Sequence, residues 1–182
     1  ISLGVIPTQS RILDLCAAPG GKSAGLAWNG WQVTATDRDQ KNSARFKLLE
    51  ETAQRIRTPD PEKKIAALPR PEAVALAPFD AVWVDAPCTG SGILRRHPEA
   101  RWLKDEKALK QLVAQQQELV SEAARYLRPG GLLMVTVCSV LEEEAAIEAV
   151  SKLTGLRLIR KWLLAPQDPP RGDGFTAGLW RR

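Results

Sequence analysis

Short apolar runs alternate with longer amphipathic stretches along this chain. "RILDLC" (11–16), "QVTAT" (32–36), "AVWVD" (81–85) and "GLLMVTVC" (131–138) each stop at a turn or polar residue, as buried strands do. Residues 105–127 place Leu109, Leu112, Val113, Leu119, Val120, Ala123 and Leu127 at spacings of three and four, which predicts a helix with one buried face. Pro129 and Gly130 follow and end it. Shorter helices are expected over 22–28, 40–57 and 142–152, and "LRLIRKW" (156–162) and "GFTAGLW" (174–180) are expected as closing strands on either side of the excursion "APQDPPRGD". The stretch 58–80 carries five prolines and no clear period, so any strand there is short and lies near Ile65. Strands alternating with helices in this way predict an α/β domain with a largely parallel sheet.

Size and composition narrow the class. With 182 residues and 44% apolar side chains, the chain is expected to form a single domain over 1–182. No apolar run approaches the ~20 residues of a membrane span, and "ISLGVIPTQSR" at the start has no basic secretory signature. A soluble, cytoplasmic protein with no membrane partner is the expectation. The three cysteines, Cys16, Cys88 and Cys138, are far apart, odd in number and without metal-ligand spacing. They read as free thiols in a reducing compartment, with no metal. The 26 Lys and Arg against 21 Asp and Glu give a net charge of +5, which suits a polyanionic partner. "LRRHPEARWLK" (94–104) gathers Arg95, Arg96, His97, Arg101 and Lys104 around Trp102, either as a contact for nucleic-acid phosphates or as a solvated loop.

Within this frame, "CAAPGGKS" (16–23) ends like a phosphate-binding loop. That loop needs a glycine five residues before its Gly-Lys-Ser, and Cys16 stands there instead. A dinucleotide fingerprint is missing too, because Gly20 and Gly21 are adjacent and follow Pro19. Asp37 lies 21 residues beyond Cys16 at the end of the second strand, where an acid can hold both hydroxyls of a ribose. A ribose without a phosphate at the loop fits a nucleoside with an amino-acid tail, S-adenosylmethionine. Gly20 and Gly21 would admit it against the backbone, and N–H groups at the helix start would meet its carboxylate. A plain tight turn beside a solvated Asp is the alternative.

Ligands of open parallel sheets bind beyond the carboxyl ends of the strands, and two thiols fall there. "DAPCTGSG" (85–92) places Asp85, a rigid proline and Cys88 in one turn, and "TVCS" (136–139) places Cys138 at another strand end. A single buried cysteine is usually a small hydrophobe, and Cys16, inside the first strand, is read that way. Two thiols on one rim beside an acid are harder to assign to packing.

These segments resemble the RNA cytosine-C5 methyltransferases of the RsmB (Sun/Fmu) and NOP2/NSUN type. The resemblance runs through "ILDLCAAPGGKS", "TATDRD", "FDAVWVDAPCTGSGILRRHPEARW", "LRPGGLLMVTVCSVLEEEAAIEAV" and "GDGFTAGLWRR", with "GILRRHPEARW" most like the RsmB-like ribosomal RNA branch. It implies a Rossmann-like S-adenosylmethionine-dependent methyltransferase fold, a mostly parallel sheet with helices on both faces. It implies that Cys16, Ala17, Ala18, Pro19, Gly20, Gly21 and Lys22 form the loop for S-adenosyl-L-methionine, that Asp37 holds the ribose, and that Asp85 sits where cofactor and target base meet. Cys138 would be the nucleophile, and Cys88 would assist release of the methylated product. The implied partner is RNA, expected to be ribosomal and to offer a cytosine in a single strand or loop, because a stacked base cannot reach a thiol. The resemblance departs in two places. The acid that the family carries after its third strand has no counterpart near Ile65 to Leu68, where Ala66 and Ala67 stand, and the chain begins about ten residues before its first strand, where the family carries an N-terminal RNA-binding region; the expectations are a fragment, or a reduced paralogue with a partner in place of that region. The competing expectations are a methyltransferase acting on another substrate and a non-catalytic RNA-binding module with a weakened cofactor site.

Overall fold

The computed structural model of the protein describes residues 10–38, 43–56, 64–99, 102, 105–144, 147–165 and 172–182. The chain divides into two compact units, Ile1–Trp83 with Tyr126–Gly131, and Val84–Arg125 with Leu132–Arg182. The seven strands are hydrogen-bonded in the order β3-β2-β1-β4-β5-β7-β6, and β4 and β5 each run through both units.

In the first unit, β1 (Arg11–Asp14), β2 (Gln32–Ala35) and β3 (Ile65–Ala67) are followed by the start of β4 (Phe79–Asp85). β1 pairs in parallel with β2 on one side and β4 on the other, with Ile12 opposite Val33 and Ala81. Ile12, Leu13, Val33, Ala35, Ala81 and Val82 are all buried. Parallel strands covered on both faces need such continuous apolar runs, which is why they stand out in the sequence. The chain moves outward through β2 and β3 and returns to β4 on the far side of β1, so its switch point lies between β1 and β4.

Three helices belong to this unit: α1 (Gly21–Trp28), α2 (Ala44–Arg55) and α3 (Arg70–Val74). The Ser43 side chain caps α2 by accepting from Phe46 N at 3.1 Å. α3 lies in the proline-rich stretch for which the sequence pattern predicts no helix. Pro69 is its N-cap and Pro71 stands in its first turn, where the missing N–H removes no helical hydrogen bond.

The second unit holds α4 (Glu106–Arg125), α5 (Ile147–Thr154), β6 (Arg157–Leu164), β7 (Phe175–Arg181) and most of β5 (Leu127–Val137). β7 lies antiparallel between β5 and β6, with Trp180 opposite both Leu133 and Leu158. Trp180 is completely buried. β6, at the edge, is exposed along nearly its whole length and carries Arg157, Arg160 and Lys161, charges of the kind that discourage edge-to-edge pairing.

Several boundaries differ from those expected. α4 stops at Arg125, and Leu127 to Gly130 already belong to β5. Pro129 and Gly130 therefore sit in the exposed beginning of a strand and not just past a helix. β1 ends at Asp14, so Cys16 lies beyond the strand, half-buried in a turn. The expected helix over 40–57 is described from Ala44, since 39–42 and 57 fall outside the described residues, as do 145–146 of the expected helix over 142–152, which starts at Ile147.

Candidate active site

The loop after β1 is held from two sides. Ala17 N donates to Thr36 O at 2.9 Å, and Gly20 N turns back to Ala17 O at 2.7 Å. Ala18 N donates to Asp37 Oδ2 at 3.0 Å. From α2, Thr52 Oγ1 donates to Pro19 O at 2.8 Å, and Arg45 Nη2 donates to Ala18 O at 3.0 Å. Gly20 has φ 106°, and a Cβ there would lie 2.9 Å from Thr52 Cγ2. Only glycine satisfies both the positive φ and the close approach of α2.

α1 begins at Gly21 without a side-chain cap at Gly20, so the capping residue offers its first-turn N–H groups no side-chain acceptor. Nothing within 4 Å would meet a Cβ on Gly21, so the helix start opens onto space. A carboxylate fits this donor set, which meets anions through N–H groups and the helix dipole. Below the loop, Ser23 Oγ donates to Asp14 Oδ2 at 2.6 Å, and both residues are buried. Asp37 is buried just past β2. Besides Ala18 N, its Oδ1 accepts from Arg38 N at 2.8 Å, and Arg45 Nη2 lies 3.5 Å from Oδ2. A carboxylate offers about four acceptor positions, which leaves room for ribose hydroxyls. β3 carries no acid, since Ala66 is exposed and Ala67 half-buried at its end. The residues thus fit the carboxylate and the ribose of S-adenosylmethionine but supply no carboxylate from β3.

The second unit gathers the other site residues. Asp85 ends β4, where Thr136 Oγ1 donates to its Oδ1 at 2.8 Å and Ala86 N donates to Thr136 O at 2.8 Å. The Sγ atoms of Cys88 and Cys138, separated by 50 residues in sequence, are 3.0 Å apart. The hydrogen bond to Cys138 holds the Cys88 thiol far above its ordinary range, and burial and the Cys138 charge act in the same direction. Either sulfur can be the donor in this contact, and the pair holds one proton more tightly than two separate thiols would. Gly92 N donates to Cys138 O at 3.1 Å, and Thr176 Oγ1 donates to Ser139 O at 2.7 Å.

Two arginines of the basic segment have a fixed partner. Arg96 forms a 2.6 Å ion pair with Asp173 and Arg95 a 3.8 Å one, although both side chains stay about half exposed. The hydrogen bond to Asp173 raises the Arg96 pKa above its ordinary value, and the charge of Cys138 adds to this. Arg96 thus supplies positive charge near the Cys138 sulfur. Trp102 is 82% exposed, while Arg101 and Lys104 fall outside the described residues. Sequence reasoning did not single out Asp14, Ser23, Arg45, Thr52, Gln116, Glu144 or Asp173. The only visible signal was an acid, Asp14, inside the apolar run "RILDLC".

The fold is that of the Rossmann-like S-adenosylmethionine-dependent methyltransferases. The structure of NSun6 from Pyrococcus horikoshii, solved with SFG, superposes with a TM-score of 0.74 at 22% identity, over 94% of this chain and 47% of that one. Residues 5–167 match the model of the 16S rRNA methyltransferase RsmB/F family, and the chain belongs to that family. Ribosomal RNA small subunit methyltransferase B of Erwinia tasmaniensis is 38% identical over 76% of this chain and 32% of its own length. The protein of the same name from Serratia proteamaculans is 33% identical over 91% of this chain and 40% of its own length. The chain thus spans about a third to two fifths of these curated relatives.

Proposed function

We propose that this chain transfers a methyl group from S-adenosyl-L-methionine to C5 of a cytosine in RNA, with ribosomal RNA as the substrate class. The observation that carries this reading is the 3.0 Å contact between the sulfurs of Cys88 and Cys138. Cytosine C5 is a weak nucleophile. The Cys138 thiolate adds to C6, and the new C–S bond pushes the ring electrons toward C5 and N3. Asp85, held by Thr136, would stabilise the charge developing at N3 only in its protonated form, with the carboxyl O–H donated to N3. The cofactor, when bound, would supply an electrophilic methyl group to C5, its sulfur–methyl bond breaking and its electrons staying on the demethylated product, S-adenosylhomocysteine. A base then removes the C5 proton, the C–S bond breaks, and its electrons return to Cys138. The Cys88 S–H beside that sulfur stabilises the departing thiolate, which is the role in release. Gly20 to Lys22 would hold the cofactor's carboxylate and Asp37 its ribose.

Binding of the cofactor is tested by thermal shift with S-adenosylmethionine, its demethylated product, ATP and NAD. Near a hundredfold excess over Kd, the first two should stabilise the chain by about 2.7 kcal/mol. Equal or greater stabilisation by ATP overturns the assignment.

Arg95 and Arg96 are proposed to contact RNA phosphates with the part of each guanidinium left exposed by Asp173. Replacing each by alanine should weaken RNA binding and reduce the slope of log K against log salt by about one per contact. An unchanged slope would leave both arginines as partners of Asp173 alone.

A further inference from the structure

Three consecutive glutamates precede α5, and the structure treats one of them differently. Glu142 and Glu143 are exposed, whereas Glu144 is 1% exposed. A buried carboxylate is costly unless hydrogen bonds replace its water. Here they come from the loop that carries Cys88. Glu144 Oε1 accepts from Thr89 N at 2.7 Å, and Oε2 accepts from Thr89 Oγ1 at 2.5 Å. Gln116 of α4, also completely buried, donates from Nε2 to Glu144 Oε1 at 3.5 Å and to Pro87 O at 2.8 Å. The residues on both sides of Cys88 are therefore gripped by buried side chains from outside the loop.

A parallel set of bonds ties the same loop to the segment after Cys138. The Ser91 and Ser139 hydroxyls lie 2.8 Å apart, Val140 N donates to Ser91 Oγ at 3.1 Å, and Leu141 N donates to Ser139 Oγ at 3.1 Å. With that segment fixed, the position of the Cys88 sulfur relative to Cys138 depends on how Pro87 and Thr89 are held. Hydrogen bonds weaken steeply with misalignment, so a shift of the loop costs the contact between the thiols.

We propose that Glu144 is a positioning residue of the thiol pair: through Thr89, and with Gln116 on Pro87, it holds the Cys88 loop in the shape that aims the Cys88 thiol at the Cys138 sulfur. Its charge works in the same sense, since it opposes ionisation of Cys88 alongside the larger effects of Cys138 and burial. Among the described residues, Glu144 acts electrostatically on Cys88 and Arg96 on Cys138, and Asp85 lies three residues before Cys88. The inference rests on the reading of Cys88 and Cys138 as a working pair.

The test is alkylation by iodoacetamide across the neutral to alkaline range, with each cysteine followed by peptide mass spectrometry. In the parent protein Cys138 should be labelled and Cys88 protected. Glu144→Ala should raise the Cys88 labelling rate about tenfold, the equivalent of one charged hydrogen bond, and move its pH profile toward that of an ordinary thiol. Glu144→Gln should restore most of the protection, because its amide oxygen still accepts from Thr89 N. Leu156→Ala serves as a control for general loosening, since Leu156 is buried outside this network. Cys88 labelling unchanged in Glu144→Ala, or raised equally by Leu156→Ala, overturns the proposal. If Glu144→Ala does not fold, Thr89→Val removes one of the two Thr89 bonds and should raise labelling in the same direction; no rise overturns it. The labelling needs neither RNA nor methyl donor. A chain that shows Glu144-dependent protection but no methyl transfer would therefore sink the functional reading and leave this one standing.

Discussion

Cys138→Ala is expected to form no covalent adduct with RNA and to lose methyl transfer by on the order of a thousandfold or more, as when an enzyme loses its nucleophile. Without a sulfur to add at C6, the ring offers C5 almost no electron density for the methyl group. Cys88→Ala is expected to behave differently. Cys138 still attacks and C5 is still methylated, but the departing thiolate has lost the S–H donor at 3.0 Å, so elimination slows. Protein joined to RNA should accumulate and run as a slow band on a denaturing gel when S-adenosylmethionine is present. Adduct trapped by Cys138→Ala and absent from Cys88→Ala would assign the nucleophile to Cys88. Full methylation by both variants would make the thiols packing residues.

The second large effect is expected at a residue that does no chemistry. Gly92 and Gly174 lie against one another, with Gly174 N donating to Gly92 O at 2.7 Å. A Cβ on Gly92 would overlap the Gly174 carbonyl and approach its Cα to 2.9 Å. Both obstacles are backbone, which no rotamer change can relieve. Gly92→Ala should therefore cost about 3 kcal/mol, the upper end of the overpacking range, read as a lower denaturant midpoint at constant m. It should also lower activity, because Gly92 N holds Cys138 O and the neighbouring Asp173 holds Arg96. A midpoint equal to that of the parent would show that the two segments can part without loss.

The contrast between these two sites shows what each level of description carries. "DAPC" and "TVCS" could be singled out because both thiols fall where apolar strands end, and the strands themselves announce where they end. Nothing in the spacing of Gly92 and Gly174 says that they touch. The same holds for Arg45, on α2 and eight residues beyond Asp37, which reaches back to Ala18 O and Asp37 only because α2 packs beside the loop. Arg95 and Arg96 read as part of one basic patch until Asp173, more than seventy residues later, is seen to pair with both.

Local rules misplace boundaries where two of them compete. Proline was read as a breaker through 58–80, yet Pro69 and Pro71 start α3, because the first turn of a helix has no use for the N–H that proline lacks. Pro129 and Gly130 were read as punctuation after a helix, yet β5 already includes them. Strand pairing there begins at Leu127, with Phe79 N donating to Tyr126 O beside it at 2.8 Å, and pairing with a distant segment is not visible in a local pattern.

What the sequence determined by itself is the order of the strands and the longer helices, the glycine turn at Gly20, the acid at Asp37 and the residue types of the thiol pair. Each follows from a local requirement: a period, a positive φ, or a chemistry that admits few side chains. What only the tertiary structure decided is which of three adjacent glutamates is buried, that the two thiols meet at 3.0 Å, and which groups hold the Cys88 loop in place. Those properties belong to contacts between segments that are 28 to 55 residues apart in the chain. Burial strengthens such contacts by removing competing water, and burial is a property of the assembled fold.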